Sequence, residues 1–177
     1  MHGLYENKLG ALGLLLTDAI HGVLGEHSPS AASLLSTLYY QGPMTATALA
    51  EVGGIAQPTA ARVTGRLIRQ GLIQREAHTG RTAPLRLTRL GKRQARTLQR
   101  VRLMAMNRLL SGLSKTERFH FEEAIDKILR HATHSRAFAR TTCRLCDHSV
   151  CSGRLCPVGS KATALERQLK STDRRTR

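Results

Sequence analysis

From Pro43 to Gly91 the chain reads PMTATALAEVGGIAQPTAARVTGRLIRQGLIQREAHTGRTAPLRLTRLG, and few folds accept that order of signals. Thr45 is a natural N-cap for a short helix that turns Leu49 and Ala50 inward. Gly53-Gly54 supplies a turn, and Pro58 falls in the first turn of a further helix, where its missing N–H is not needed. That helix is expected from about Gln57 to Gln70, stopping at Gly71, a residue suited to the left-handed position after a helix. Ala60, Val63 and Leu67 mark its inward face, and Thr59, Arg62, Arg66 and Arg69 the opposite one. Leu72-Ile73-Gln74-Arg75 and Leu85-Arg86-Leu87-Thr88 then alternate as two strands around a polar tip, His78 to Ala83. Helix, turn, helix and hairpin in that order form the plan of a winged helix-turn-helix, which lays its second helix in the DNA major groove.

Charge follows the same boundaries. Arg62 to Arg102 carries twelve Lys or Arg against one acid, Glu76, whereas the first 61 residues carry Lys8 against Glu6, Asp18, Glu26 and Glu51. Formal net charge is +16, and its concentration on the module and beyond it suits a phosphate backbone. Aromatic residues make up 3% with no Trp, which argues against reading single strands by base stacking. No apolar run is long enough to span a bilayer. The run Leu9 to Thr17 ends at Asp18 without a small-residue cleavage site, so a signal peptide is rejected and a soluble cytoplasmic protein is expected.

Around the module the pattern is helical, so the expected fold is mainly α with a small β-hairpin wing. Leu9, Leu12, Leu16, Ile20 and Val23 mark a helix over about 5–25, and Leu34, Leu35, Leu38 and Tyr39 mark another over 30–40. A long helix is expected from Gly91 to about Leu113, with Leu98, Val101, Met104 or Ala105, and Leu109 inward. Ser114 with Glu117 three residues on is a capping box, opening a helix that runs into the His131–Ala139 region. The domain reading is one unit over 1–140, a cysteine-rich segment over 141–160 and a mobile basic tail over 161–177.

The candidate DNA-reading residues are Thr45, Gln57, Thr59, Arg62, Arg66 and Arg81. Gln57 and Thr59 stand near the helix N-terminus, in position to read base edges. Arg62 suits either a bidentate pair with guanine or a phosphate, and Arg66 and Arg69 suit the backbone or plain solvation. Arg81 at the wing tip suits the narrow minor groove.

The string LAEVGGIAQPTAARVTGRLIRQGLIQR, followed by the closing LRLTRLG, resembles the DNA-binding lobe of the MarR family of bacterial regulators. The resemblance implies a two-fold homodimer with first and last helices interwoven, over 5–40 and 92–140. It also implies a pseudo-palindromic operator and a small-molecule effector pocket between those helices and the lobe, where Tyr39, Tyr40 and His21 are candidates. Two positions depart from the family pattern. Thr79 stands where the wing usually has an Asp that orients the Arg, and Ala56 replaces a Ser N-cap worth about 1 kcal/mol.

All four cysteines lie in TTCRLCDHSVCSGRLCPV, spaced C-x2-C-x4-C-x4-C at Cys143, Cys146, Cys151 and Cys156. Four thiolates fill a tetrahedral shell, and His148 offers a substitute for one of them. Three readings stay open: a structural zinc site, a redox or metal-sensing switch (iron–sulfur included), and four unligated reduced thiols. Of the functions, a DNA-binding regulator is expected, a repressor released by a ligand or by metal or thiol state. A basic RNA- or ribosome-associated platform is the rival. An enzyme is not expected, because the thiols sit in one cluster near a chain end and no catalytic triad or phosphate loop is present.

Overall fold

The computed structural model describes residues 3–76 and 83–175, with side chains to 172. Arg81, Thr79 and most of the expected wing tip lie outside the described residues. Helices α1 (Leu4–Val23), α2 (Pro29–Gln41), α3 (Ala46–Gly53) and α4 (Gln57–Arg69) are followed by strands β1 (Ile73–Arg75) and β2 (Leu85–Leu87). Helices α5 (Arg89–Leu109), α6 (Lys115–Ala132), α7 (Arg136–Thr142) and α8 (Pro157–Arg175) complete the order. The mainly helical architecture with a two-stranded antiparallel wing is the one expected.

Capping chemistry sets most of these boundaries. Ser28, Thr45, Thr88, Ser114 and Ser135 each accept a hydrogen bond from a first-turn N–H, and Ser114 with Glu117 forms a full capping box. Ala56 caps α4 with no side-chain bond, as its missing hydroxyl requires.

The core of the winged lobe is closed. Leu34 and Leu35 of α2, Leu49 of α3, Leu67 of α4, Ile73 of β1 and Leu85 of β2 are at most 1% exposed. Ile73 pairs with Leu87, and Arg75 with Leu85. Met44, just before α3, adds a bridge to the outer side of β2 by bonding Leu85 in both directions at 3.2 and 2.9 Å. The start of α5 explains the LxLTxxG ending. Thr88 accepts from Gly91 N–H at 3.0 Å and donates to the Gly71 carbonyl at 2.6 Å, locking α5 to the end of α4. A Cβ on Gly91 would stand 1.9 Å from the Leu72 carbonyl oxygen, so only glycine allows that approach.

Outside the lobe the picture changes. Neither α1 nor α6 contains a single buried residue, although both are rich in Leu, Ile and Phe. Their apolar faces meet the C-terminal part of α5 around an open groove of about 640 Å³ lined by Leu12, Leu16, Met106, Leu109, Phe121 and Ile125. Met104, expected inward, is 62% exposed, and the half-buried Ala105 is its inward alternative.

Two expectations near the C-terminus are corrected. The helix opened by Ser114 reaches the expected His131–Ala139 region but ends at its start, at Ala132, and Ser135 caps a separate α7 over the rest. The segment read as a mobile tail is mostly helix α8, which packs on α6 and α7. Its anchor is Arg136, whose guanidinium donates to both carboxylate oxygens of Glu166, at 3.0 and 2.7 Å, and to Thr163 at 2.8 Å.

Candidate nucleic-acid interface and thiol cluster

Helix α4 has two chemically opposed faces. Ala60, Thr64 and Leu67 are buried and Val63 half-buried, while Gln57, Arg62, Arg66 and Arg69 are exposed and Thr59 partly so. Burial of Thr64 was not expected; its hydroxyl is satisfied within the helix by donating to the Ala61 carbonyl at 3.0 Å. Arg62 leans on Thr59 at 3.4 Å, a weak contact that leaves most of its donors free. Among the described residues no α4 arginine is ion-paired; the wing pair Arg86–Glu76 (3.4 Å) takes up the nearby acid instead. The α4 face therefore presents unpaired donors to solvent.

Thr45 accepts from Ala48 N–H at 3.2 Å, so its oxygen serves as the cap of α3 and its O–H stays free to donate. The turn between α3 and α4 depends on Gly54, in the left-handed region at φ 63°. A Cβ there would meet Thr141 Cγ2 of α7 at 2.7 Å. The C-terminal extension thus rests directly on the turn that aims α4.

A cleft of about 590 Å³ opens between α2 and α5, lined among others by Tyr39, Tyr40, Arg96, Arg100, Leu103 and Asp147. Two of the three residues expected at such a pocket are there. His21 is not; it is exposed on α1. Burial, then a hydrogen bond to Asp147, raises the Tyr40 hydroxyl pKa. Asp147 is held below the usual carboxylate range, chiefly by hydrogen bonding from Ser149 and also from Tyr40.

One wall of that cleft comes from the cysteine segment, which the sequence reading left as a separate unit. Leu145 packs against the lobe core. With its amide turned to suit its neighbours, Gln99 of α5 donates to the Leu145 carbonyl at 3.1 Å and accepts from Arg102 at 2.9 Å and Asp147 N–H at 3.2 Å. His148 stacks on Tyr40 with ring centres 5.5 Å apart and bonds the Cys143 carbonyl at 3.2 Å, which assigns it to holding the loop.

The four cysteines carry no disulfide. Cys143, Cys151 and Cys156 pack together in one small cluster with Ala139. Hydrogen bonding from Cys143, with Arg102 and His148 nearby, lowers Cys146 to about 6 despite burial, while the partner thiol Cys143 is pushed up. Burial and the neighbouring sulfurs raise Cys151 to about 12. Among the described residues, no three His, Cys, Asp or Glu side chains already stand in a metal-holding arrangement.

Residues 28–80 match the sequence model of the MarR family. No curated protein sequence matches the chain. Solved structures with the same fold include MepR, a transcription regulator of the Staphylococcus aureus multidrug efflux pump MepA. It is 19% identical with a TM-score of 0.61, over 73% of this chain and 96% of that one. A MarR family protein from Bacillus stearothermophilus is 22% identical with a TM-score of 0.65, over 72% and 91%. A Mycobacterium tuberculosis MarR family protein in complex with salicylic acid is 22% identical with a TM-score of 0.55, over 72% and 96%. Each of the three leaves more than a quarter of this chain unmatched.

Proposed function

We propose that this chain, whose residues 28–80 match the MarR family of DNA-binding transcriptional regulators, is a homodimeric repressor acting on a pseudo-palindromic operator. One observation carries the reading: α4 turns Gln57, Thr59, Arg62 and Arg66 outward with no acidic partner among the described residues, while Ala60 and Leu67 anchor it in the core. Gln57 and Thr59 read base edges, and Arg62 takes guanine or phosphate. Arg66, with Thr45 at the start of α3, holds the backbone, and Arg81 reaches the minor groove.

Pairing of two chains follows from the scaffold. Leu15 and Ile128, 50% and 56% exposed, belong to an apolar groove that water tolerates poorly, and a second copy is its natural cover. Two α4 helices about 34–36 Å apart then read successive turns of one DNA face. The cleft between α2 and α5 combines two tyrosines with Arg96 and Arg100, a lining suited to a small aromatic acid whose binding alters the spacing of the pair. The salicylic acid held by one structure of this fold is a ligand of that chemistry.

Affinity for duplex DNA measured against salt tests the reading. With about six phosphate contacts per dimer, log K falls with log salt at a slope near −5. Arg62→Ala loses about 1–3 kcal/mol on the preferred sequence if Arg62 reads a base. A flat salt response contradicts the proposal, and tight RNA binding without duplex preference transfers it to the RNA platform.

A further inference from the structure

The α7–α8 extension is held by very little. Its core consists of Ala139, Cys156, Val158 and Ala162, with Leu129, Cys143 and Cys151 packed alongside. Four small or medium side chains bury too little apolar surface to order a pair of helices, the circumstance in which small units recruit a metal or disulfides. Here the cysteines are free, and they form part of that core.

The backbone brings the sulfurs together from three turns. Cys143 closes α7, and Cys146 N–H bonds the Cys143 carbonyl at 2.9 Å, the tight turn of a C-x2-C pair. Cys151 sits on a turn closed by its own N–H to the Asp147 carbonyl at 2.8 Å. Cys156 leads into α8, and Gly159 N–H donates to its sulfur at 3.1 Å, a bond that orients a ligand sulfur and supports negative charge on it. Cys143, Cys151 and Cys156 pack in one small cluster and line one cavity of about 220 Å³, with Cys146 one tight turn beyond Cys143. Zn–S bonds of about 2.3 Å need sulfur separations of about 3.8 Å; among the described residues no three such side chains yet stand in that arrangement, so binding asks the sulfurs to turn about their side-chain torsions toward the shared cavity.

Charge is provided for as well. Four thiolates around a divalent ion carry a net −2. Arg102 stands beside Cys146, and Arg136 and Arg140 line the same 220 Å³ cavity as Cys143, Cys151 and Cys156.

We propose that Cys143, Cys146, Cys151 and Cys156 bind one divalent thiophilic ion of the zinc class, and that this ion fastens the α7–α8 extension onto the turn of the helix-turn-helix. On binding, each cysteine sulfur that is still protonated releases its proton to solvent and four sulfur–metal bonds form, with no change of oxidation state. The fastening runs through Thr141, two residues before Cys143 and seated on Gly54, and through Leu145, packed on the lobe core. The site stands independently of the DNA reading, because it needs no nucleic acid.

The test uses the full chain, purified anaerobically, with zinc measured directly and cobalt substituted for it. We expect about one zinc per chain and the intense sulfur-to-cobalt absorption of a four-thiolate tetrahedral site. Hydrogen exchange before and after removal by a strong chelator should show α7 and the Gly54 turn opening about tenfold more often or greater, with the α2–α4 core unchanged. Cys143→Ser/Cys146→Ser should lose the cobalt absorption; if that variant does not fold, the wild-type measurements decide alone. A wild-type chain that binds no zinc when supplied with it, one that instead forms disulfides, or exchange at the Gly54 turn that ignores the chelator overturns the proposal.

Discussion

The winged lobe and the long-helix scaffold are built from similar amounts of leucine and isoleucine and end in opposite states. In the lobe those side chains close on one another: Leu34, Leu35, Leu49 and Leu67 are all 0% exposed. In the scaffold Leu9, Leu15, Ile125 and Ile128 stay between 37% and 58% exposed around a groove. The lobe core is closed by the chain's own residues, from Leu24 to Leu98 with Leu145 packed alongside, whereas α1 and α6 carry an apolar stripe whose partner is proposed to be another copy.

Breaking each half separately should give different failures. Leu67→Ala leaves a cavity beneath the recognition helix and should cost about 2–5 kcal/mol, read as a lower midpoint in urea unfolding with DNA binding lost alongside. Ile128→Glu should leave the lobe folded by circular dichroism while light scattering reports a monomer. Operator affinity should then fall by about a hundredfold or more, because each chain reads its half-site alone. If Ile128→Glu instead unfolds the lobe, the two regions are not separable and the comparison fails.

Two smaller changes sharpen the contrast inside the lobe. Ala56→Ser restores the missing cap of α4 and should stabilise the lobe by about 1 kcal/mol, seen as a raised Tm with no change in oligomeric state. The last concerns pH. Burial lowers the pKa of His27, with Glu26 opposing, and its Nε2 lies 2.9 Å from Gln94 Nε2 of α5. A histidine whose folded pKa lies below its unfolded value of 6.5 favours the folded chain fully above that pH. Stability should therefore fall slightly as pH drops through 6.5, and His27→Gln should flatten that portion of the curve.

Most of the lobe was legible because its signals are local. Thr45, Pro58, Gly71 and the alternation at Leu85-Arg86-Leu87 each state a backbone requirement that the fold meets, and the inward and outward faces of α4 follow from period alone. The capping box at Ser114 was equally readable. The extension was not, because its order is tertiary. Nothing near Gln99 and Arg102 in sequence says that the cysteine segment folds over α5, so burial of Gln99 could not be foreseen. Two missed features did leave traces. Ser135 is a cap that marks the break before α7, and the run Lys161 to Lys170 contains strong helix formers at residues read as a tail.

Selection of binding sites from random duplex DNA is the most direct test, since it asks the lobe and the scaffold for their products at once. Enrichment of an inverted repeat whose half-site centres lie about 10–10.5 base pairs apart is expected, lost in Arg62→Ala and reduced to weak single half-sites in Ile128→Glu. A pool that shows no enriched sequence, or a wild-type chain that selects single half-sites with no symmetry, would contradict it.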